Sequence, residues 1–202
     1  MNKIDTRLIE EAKKLVTFNL TNELSEKCLF HTITHTIEVL NNAEIIGKYS
    51  KLKENDLNVL RMSALFHDVG YIDAYDGHEV FSASRATVFL KSKNVDKESI
   101  EQIEAAILST KVPQSPRDEV SRILCDSDLM YLTFDNYLEQ IELMRKEWEK
   151  VGKAKLNKHQ FRLKSLEFSQ SHQYHTEYGK KVLQPKKERN EIKIKNLELI
   201  NK

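Results

Sequence analysis

The sequence is poor in the residues that cross-link or punctuate a chain: two cysteines, three prolines and five glycines among 202 residues. Cys28 and Cys125 are too few and too far apart for a disulfide framework, and both stand in apolar contexts, so they read as small buried hydrophobes. Scarce Gly and Pro amid many Leu, Glu, Lys and Ile point to helices with short connections. An excess of one charge is missing too. With 32 Lys and Arg against 31 Asp and Glu, there is no general case for nucleic-acid binding or for an anionic membrane. No run approaches the ~18 apolar residues of a membrane span. The polar start, Met1-Asn2-Lys3-Ile4-Asp5, lacks the apolar segment of a signal peptide, so the expected location is the cytoplasm. Gly70 and Gly77 do not make a phosphate-cradling glycine loop, which argues against ATP-powered synthesis.

What is present is helical periodicity. The spacing of Leu8, Ile9, Ala12, Leu15, Val16 and Leu20 predicts an amphipathic opening helix over 6–20. A second is expected over 31–49, with His31 and His35 four residues apart on one face. A third is expected over 56–67, followed by a polar and aromatic loop over 70–77 that carries Tyr71, Asp73, Tyr75 and Asp76. Further helices are expected from Gly77 through Leu90, over 96–110, 118–132, 134–151 and 158–169, and from Tyr174 onward with Pro185 interrupting. Pro113 and Pro116 break the pattern in a hinge-like segment over 111–117. The expectation is an all-α bundle of about seven to nine helices, folded as one domain over 1–202.

One stretch does not fit a plain core helix. The apolar run Ala64-Leu65-Phe66 ends in His67 and Asp68, two groups costly to bury unless they are paired or bound to an ion. Gly70 stands where a helix C-terminus is expected, and a fraying end lets both side chains face one cation. Cys125-Asp126-Ser127-Asp128-Leu129 repeats the anomaly, with two acids in an otherwise apolar face. His35, His67, Asp68 and one of Asp126 and Asp128 therefore qualify as ligands drawn from three helices. A mixed imidazole and carboxylate set suits a divalent Mn, Mg, Fe, Co, Ni or Zn ion rather than a structural thiolate zinc. His78 and Glu79 open the next helix and could line the pocket or help a second metal.

This order of His, His-Asp and Asp resembles the HD-domain metal-dependent phosphohydrolases. The segments that carry the resemblance are Phe30-His31 with His35, Leu65 through Tyr71, Gly77-His78-Glu79, Cys125 through Leu129, and Leu143 through Trp148. They are similar to a small bacterial branch with no firmly assigned substrate. The resemblance implies an HD-type bundle with a metal core over 31–132 and C-terminal helices over 134–202 packing on it. It implies His35, His67, Asp68 and the last aspartate as metal ligands, and Ser127-Asp128-Leu129 fits the family pattern better than Cys125-Asp126-Ser127. At its spacing from His35, His31 matches the proton-donating histidine of cyclic-nucleotide phosphodiesterases.

The expected activity is therefore hydrolysis of a phosphoester or phosphoanhydride in a nucleotide-like small molecule by a metal-activated water. Asp68 or Asp128 would orient that water, and His31 would protonate the leaving oxygen. Lys111 and Arg145 are the expected substrate-phosphate contacts. Rival readings are a nucleotide sensor without turnover and an HD-type di-iron oxygenase, for which His78 is the only extra histidine before Asp128. A homodimer is compatible with the sequence.

Overall fold

A computed structural model describes residues 2–200. Among these residues the fold is all-α: nine α-helices and no sheet, with one isolated parallel bridge between Asn2 and Val95. The helices are α1 (Thr6–Asn22), α2 (Ile33–Tyr49), α3 (Glu54–Phe66), α4 (His78–Ser92), α5 (Lys97–Ser109), α6 (Glu119–Asp128), α7 (Tyr137–Val151), α8 (Lys158–Ser171) and α9 (Gln184–Ile200). The chain divides into two compact units. One holds the residues up to Ser25 together with His31–Asp128; the other holds Glu26–Phe30 and the residues from Leu129 onward.

In the first unit, α3 is the central rod. From Leu57 onward every residue of it except Arg61 is buried, as in a helix packed on several sides, with Leu57, Leu60, Met62, Ala64, Leu65 and Phe66 set against α1, α2, α5 and α6. Local chemistry sets the helix starts. The side chain of Asp5 accepts from Leu8 N–H at 2.8 Å, Asp96 from Ser99 N–H at 2.9 Å and Asp118 from Ser121 N–H at 2.8 Å, each satisfying a first-turn donor that has no partner within its helix. The hinge-like segment is stapled down, since Ser115 N–H donates to Ser109 O and Gln114 Nε2 to Cys125 O.

Two helix limits differ from the sequence expectation in ways that matter for the site. α2 begins at Ile33 with Thr32 as its N-cap, so His31 lies outside the helix. α3 ends at Phe66 with His67 at its C-cap, and a 3-10 turn over Val69–Ile72 comes next. That turn lies close against the start of α4. Gly70 N–H donates to Ser82 Oγ at 2.8 Å, and a Cβ on Gly70 would come within 2.1 Å of the carbonyl oxygen of His78, so no larger residue fits there. Gly77 supplies the left-handed backbone, φ 77°, that turns the chain into α4.

The second unit has its own core of Phe30, Leu129, Tyr131, Leu132, Tyr137, Ile141, Phe161 and Ile194, with Trp148 edge-on to Phe161. Asn157 and Gln160 form a reciprocal capping box at the start of α8. A π-helical turn over Gly179–Leu183 leads into α9. Pro185 comes second in α9, directly after this π-helical turn, so the helical pattern changes from π to α at the proline.

Candidate metal centre

The packing of α2 against α3 and α6 decides which side chains meet. His35 projects from the first turn of α2, His67 caps α3, Asp68 is next to it in the chain, and Asp128 is the last residue of α6. His35 Nε2 lies 3.1 Å from Asp128 Oδ1 and 3.5 Å from Asp68 Oδ2. His67 Nε2 lies 3.2 Å from Asp68 Oδ2 and 3.7 Å from Asp128 Oδ1. One ligand atom each from His35, His67 and Asp128 falls within 4.8 Å of the others, and Asp68 extends this group through both imidazoles. Asp126 is fully buried and is not part of it.

Hydrogen bonding fixes what these atoms can do. His67 Nδ1 lies 2.8 Å from the carbonyl oxygen of Ala64. A carbonyl only accepts, so Nδ1 holds a proton, and Nε2 points into the cluster, where it either offers a lone pair to a cation or carries a second proton. That Nε2 and Asp68 Oδ2 are both buried, and neither has a hydrogen-bond partner. Two lone pairs at 3.2 Å with no proton between them repel, and a shared cation or proton removes the repulsion. Donors about 2.1 Å from one ion lie about 3.0 Å apart at octahedral cis positions and about 3.4 Å apart in a tetrahedron. The observed spacings of 3.1–3.7 Å between each imidazole and the two carboxylates are of this size, with His35, His67 and Asp128 forming the mutually close set and Asp68 at its side.

The electrostatics agree. Burial pushes the His67 imidazole down, but the carboxylates of Asp68 and Asp128 overcome it and hold its pKa well above the ordinary value. Burial pushes both carboxyls up, yet the facing imidazoles hold Asp68 well below its usual range and bring Asp128 to about 2. The pocket thus draws positive charge strongly. It is open on one side: the side chains of Asp128 and His78 are 18% and 14% exposed, against 0% for His67.

The remaining expected residues divide. His31 stays beside the cluster despite lying outside α2, its ring centroid 5.9 Å from that of His35. His78 Nε2 lies 3.3 Å from Asp68 Oδ1, next to the donor set, and burial pulls its pKa down less than Asp68 raises it. Glu79 is buried with Oε2 unpaired, 3.9 Å from His78 Nδ1. Lys111 is exposed on the segment between α5 and α6. Arg145 is not the free phosphate-binding cation that the sequence suggests. It belongs to the second unit, where its guanidinium is engaged by Glu142, Glu149 and the carbonyl of Leu156 at 2.9–3.2 Å. Sequence reasoning did not assign Tyr71, which stacks on both His31 and His78. The signal was available in an aromatic residue three positions after Asp68, inside a loop already assigned to the site. The Ala64 carbonyl that orients His67 is backbone and left no trace in the sequence.

The family model described as HD domain matches residues 32–131. No curated protein matches the chain. Among solved structures, the chain is similar to the Lin1889 protein of Listeria innocua, with a TM-score of 0.67 and 18% identity over 98% of this chain and 96% of that one. It is also similar to a Lactobacillus plantarum protein, with a TM-score of 0.69 and 13% identity over 97% of each chain. At such identities these likenesses establish the fold. Among the described residues no helix is long and apolar enough to cross a membrane.

Proposed function

We propose, from the HD domain that residues 32–131 form, that this chain is a metal-dependent phosphohydrolase acting on a phosphoester or phosphoanhydride of a nucleotide-like small molecule. The observation that carries the reading is the pair of buried, unpartnered atoms His67 Nε2 and Asp68 Oδ2, aimed into a pocket shared with His35 and Asp128. These four residues would hold the divalent ion. When bound, such an ion lowers the pKa of a water and polarises phosphoryl oxygens.

The chain's own groups then have separable tasks. The Ala64 carbonyl keeps the proton of His67 on Nδ1, so Nε2 remains a donor to the ion. His78 steadies Asp68 through Oδ1, leaving Oδ2 for the ion. His31, half-buried beside His35, is placed to give a proton to the leaving oxygen. The sensor reading shares the pocket and differs only in lacking turnover. The oxygenase reading needs more ligands, and among the described residues one cluster of three or more such groups occurs.

The test is to purify the protein, strip it with chelator, restore Mn, Mg, Fe, Co, Ni or Zn one at a time, and assay a nucleotide panel for released phosphate, pyrophosphate or nucleoside. Turnover with at least one metal is expected. Tight ligand binding with no product under any metal would replace the hydrolase by the sensor.

A further inference from the structure

The helix lacks control over His31, because a side chain before the N-cap is not oriented by the helical repeat that directs His35. Its direction must come from elsewhere. The His31 ring stacks on Tyr71 with centroids 4.3 Å apart and planes at 26°. The His78 ring stacks on the same Tyr71 at 3.8 Å and 17°. Tyr75 closes the group edge-on, 5.2 Å from Tyr71 and 6.1 Å from His31.

Tyr71 itself sits on a firmly held base. Its N–H donates to Asp68 O at 3.1 Å, while its neighbours Gly70 and Asp73 are tied to α4 by the Gly70 to Ser82 bond and by the two-pronged Arg85 to Asp73 bridge at 2.6 and 3.0 Å. His78 completes the chain of contacts, since its Nε2 meets Asp68 Oδ1 at 3.3 Å. One ring therefore links the turn that carries His67 and Asp68, the start of α4, and the segment before α2.

We propose that Tyr71 is a positioning residue that holds the His31 imidazole beside the metal-binding cluster through ring stacking. Loss of one aromatic pair corresponds to roughly a tenfold change in the population of the correct orientation. Tyr71→Leu should therefore lower kcat about tenfold with KM changed less than about twofold, and Tyr71→Phe should restore the rate. In a His31→Ala background, Tyr71→Leu should cost much less than in the wild type, because the residue acts chiefly through His31.

The rate measurements rest on the hydrolase reading; a second readout does not. In the metal-free protein, the carbon-bound ring protons of His31 and His78 should resonate upfield under the Tyr71 ring current, in the wild type and in Tyr71→Phe alike. In Tyr71→Leu that shift should vanish. Should no substrate be turned over, these resonances alone decide the matter, so failure of the stack and failure of the hydrolase are told apart. If Tyr71→Leu does not fold, Tyr71→Gln takes its place. Unmoved histidine signals, a Tyr71→Phe variant as slow as Tyr71→Leu, or full additivity with His31→Ala would each overturn the proposal.

Discussion

The two units treat their buried polar groups in opposite ways. In the first, His67 Nε2, Asp68 Oδ2 and Glu79 Oε2 are buried around one pocket with no hydrogen-bond partner. In the second, buried ionic groups are matched to backbone groups. Fully buried Glu147 accepts from Leu29 N–H at 2.6 Å and Phe30 N–H at 2.7 Å, and Lys187 donates to the carbonyls of Ser169 at 2.7 Å and His172 at 2.5 Å. An unmatched buried charge is expensive and persists only where something outside the chain completes it, whereas a matched one serves the fold. Substitution in the first unit should therefore remove ligand and activity, and in the second it should remove stability.

Asp68→Asn tests the first half with the largest expected effect. Asn keeps the shape and removes the charge, so turnover should fall on the order of 10³-fold and metal affinity by at least about 10²-fold, while helicity in chelator stays as in the wild type. Metal titration and circular dichroism check this together. A variant that keeps its metal but loses cooperative unfolding would reverse the comparison and make the pair structural.

Glu147→Ala tests the other half. It leaves two backbone N–H groups without an acceptor inside the second unit and should cost about 2–4 kcal/mol in urea unfolding, with turnover per folded molecule unchanged. Lys187→Met is milder. The apolar stem is preserved, but the carbonyls of Ser169 near the end of α8 and of its C-cap His172 lose their donor, so about 1–3 kcal/mol should be lost. A gain in stability instead would show that burying the ammonium costs more than its two hydrogen bonds return.

Much of this contrast could be read from residue order. The helical class was legible in the periodicity and in the scarcity of Gly and Pro, and His67 with Asp68 stood out because they end an apolar run. The preference for Asp128 over Asp126 came from the family pattern, and packing explains why it matters: Asp128 ends α6 where α2 crosses it, while Asp126 is buried elsewhere. What stayed hidden depended on contacts without a sequence period. The α2 N-cap at Thr32 left His31 outside the helix, and the stack on Tyr71 compensates for it. The surroundings of Arg145 turned a candidate phosphate contact into a local clamp, because Glu142 and Glu149 lie three and four residues from it on α7. Val80 and Phe81, apolar residues of the first turn of α4, are exposed.

Tyr137 is a point where the second unit departs from this pattern, and it offers the smallest and most discriminating test. Its hydroxyl is buried with no hydrogen-bond partner, while its ring packs in the core 6.2 Å from Tyr131. Tyr137→Phe keeps the packing and removes only the unmatched group, so stability at neutral pH should stay the same or rise by up to about 1 kcal/mol. The sign with pH is also fixed. Burial first, and the nearby Glu191 carboxylate second, push this phenol well above its ordinary pKa. Above about pH 10 the unfolded chain gives up the proton while the folded chain keeps it, so stability falls as pH rises through that range. The variant has no such proton, and its unfolding midpoint should decline less than that of the wild type between about pH 10 and 11. A loss of more than about 1 kcal/mol at neutral pH would mean that the hydroxyl is satisfied after all, by a water shared with Glu191.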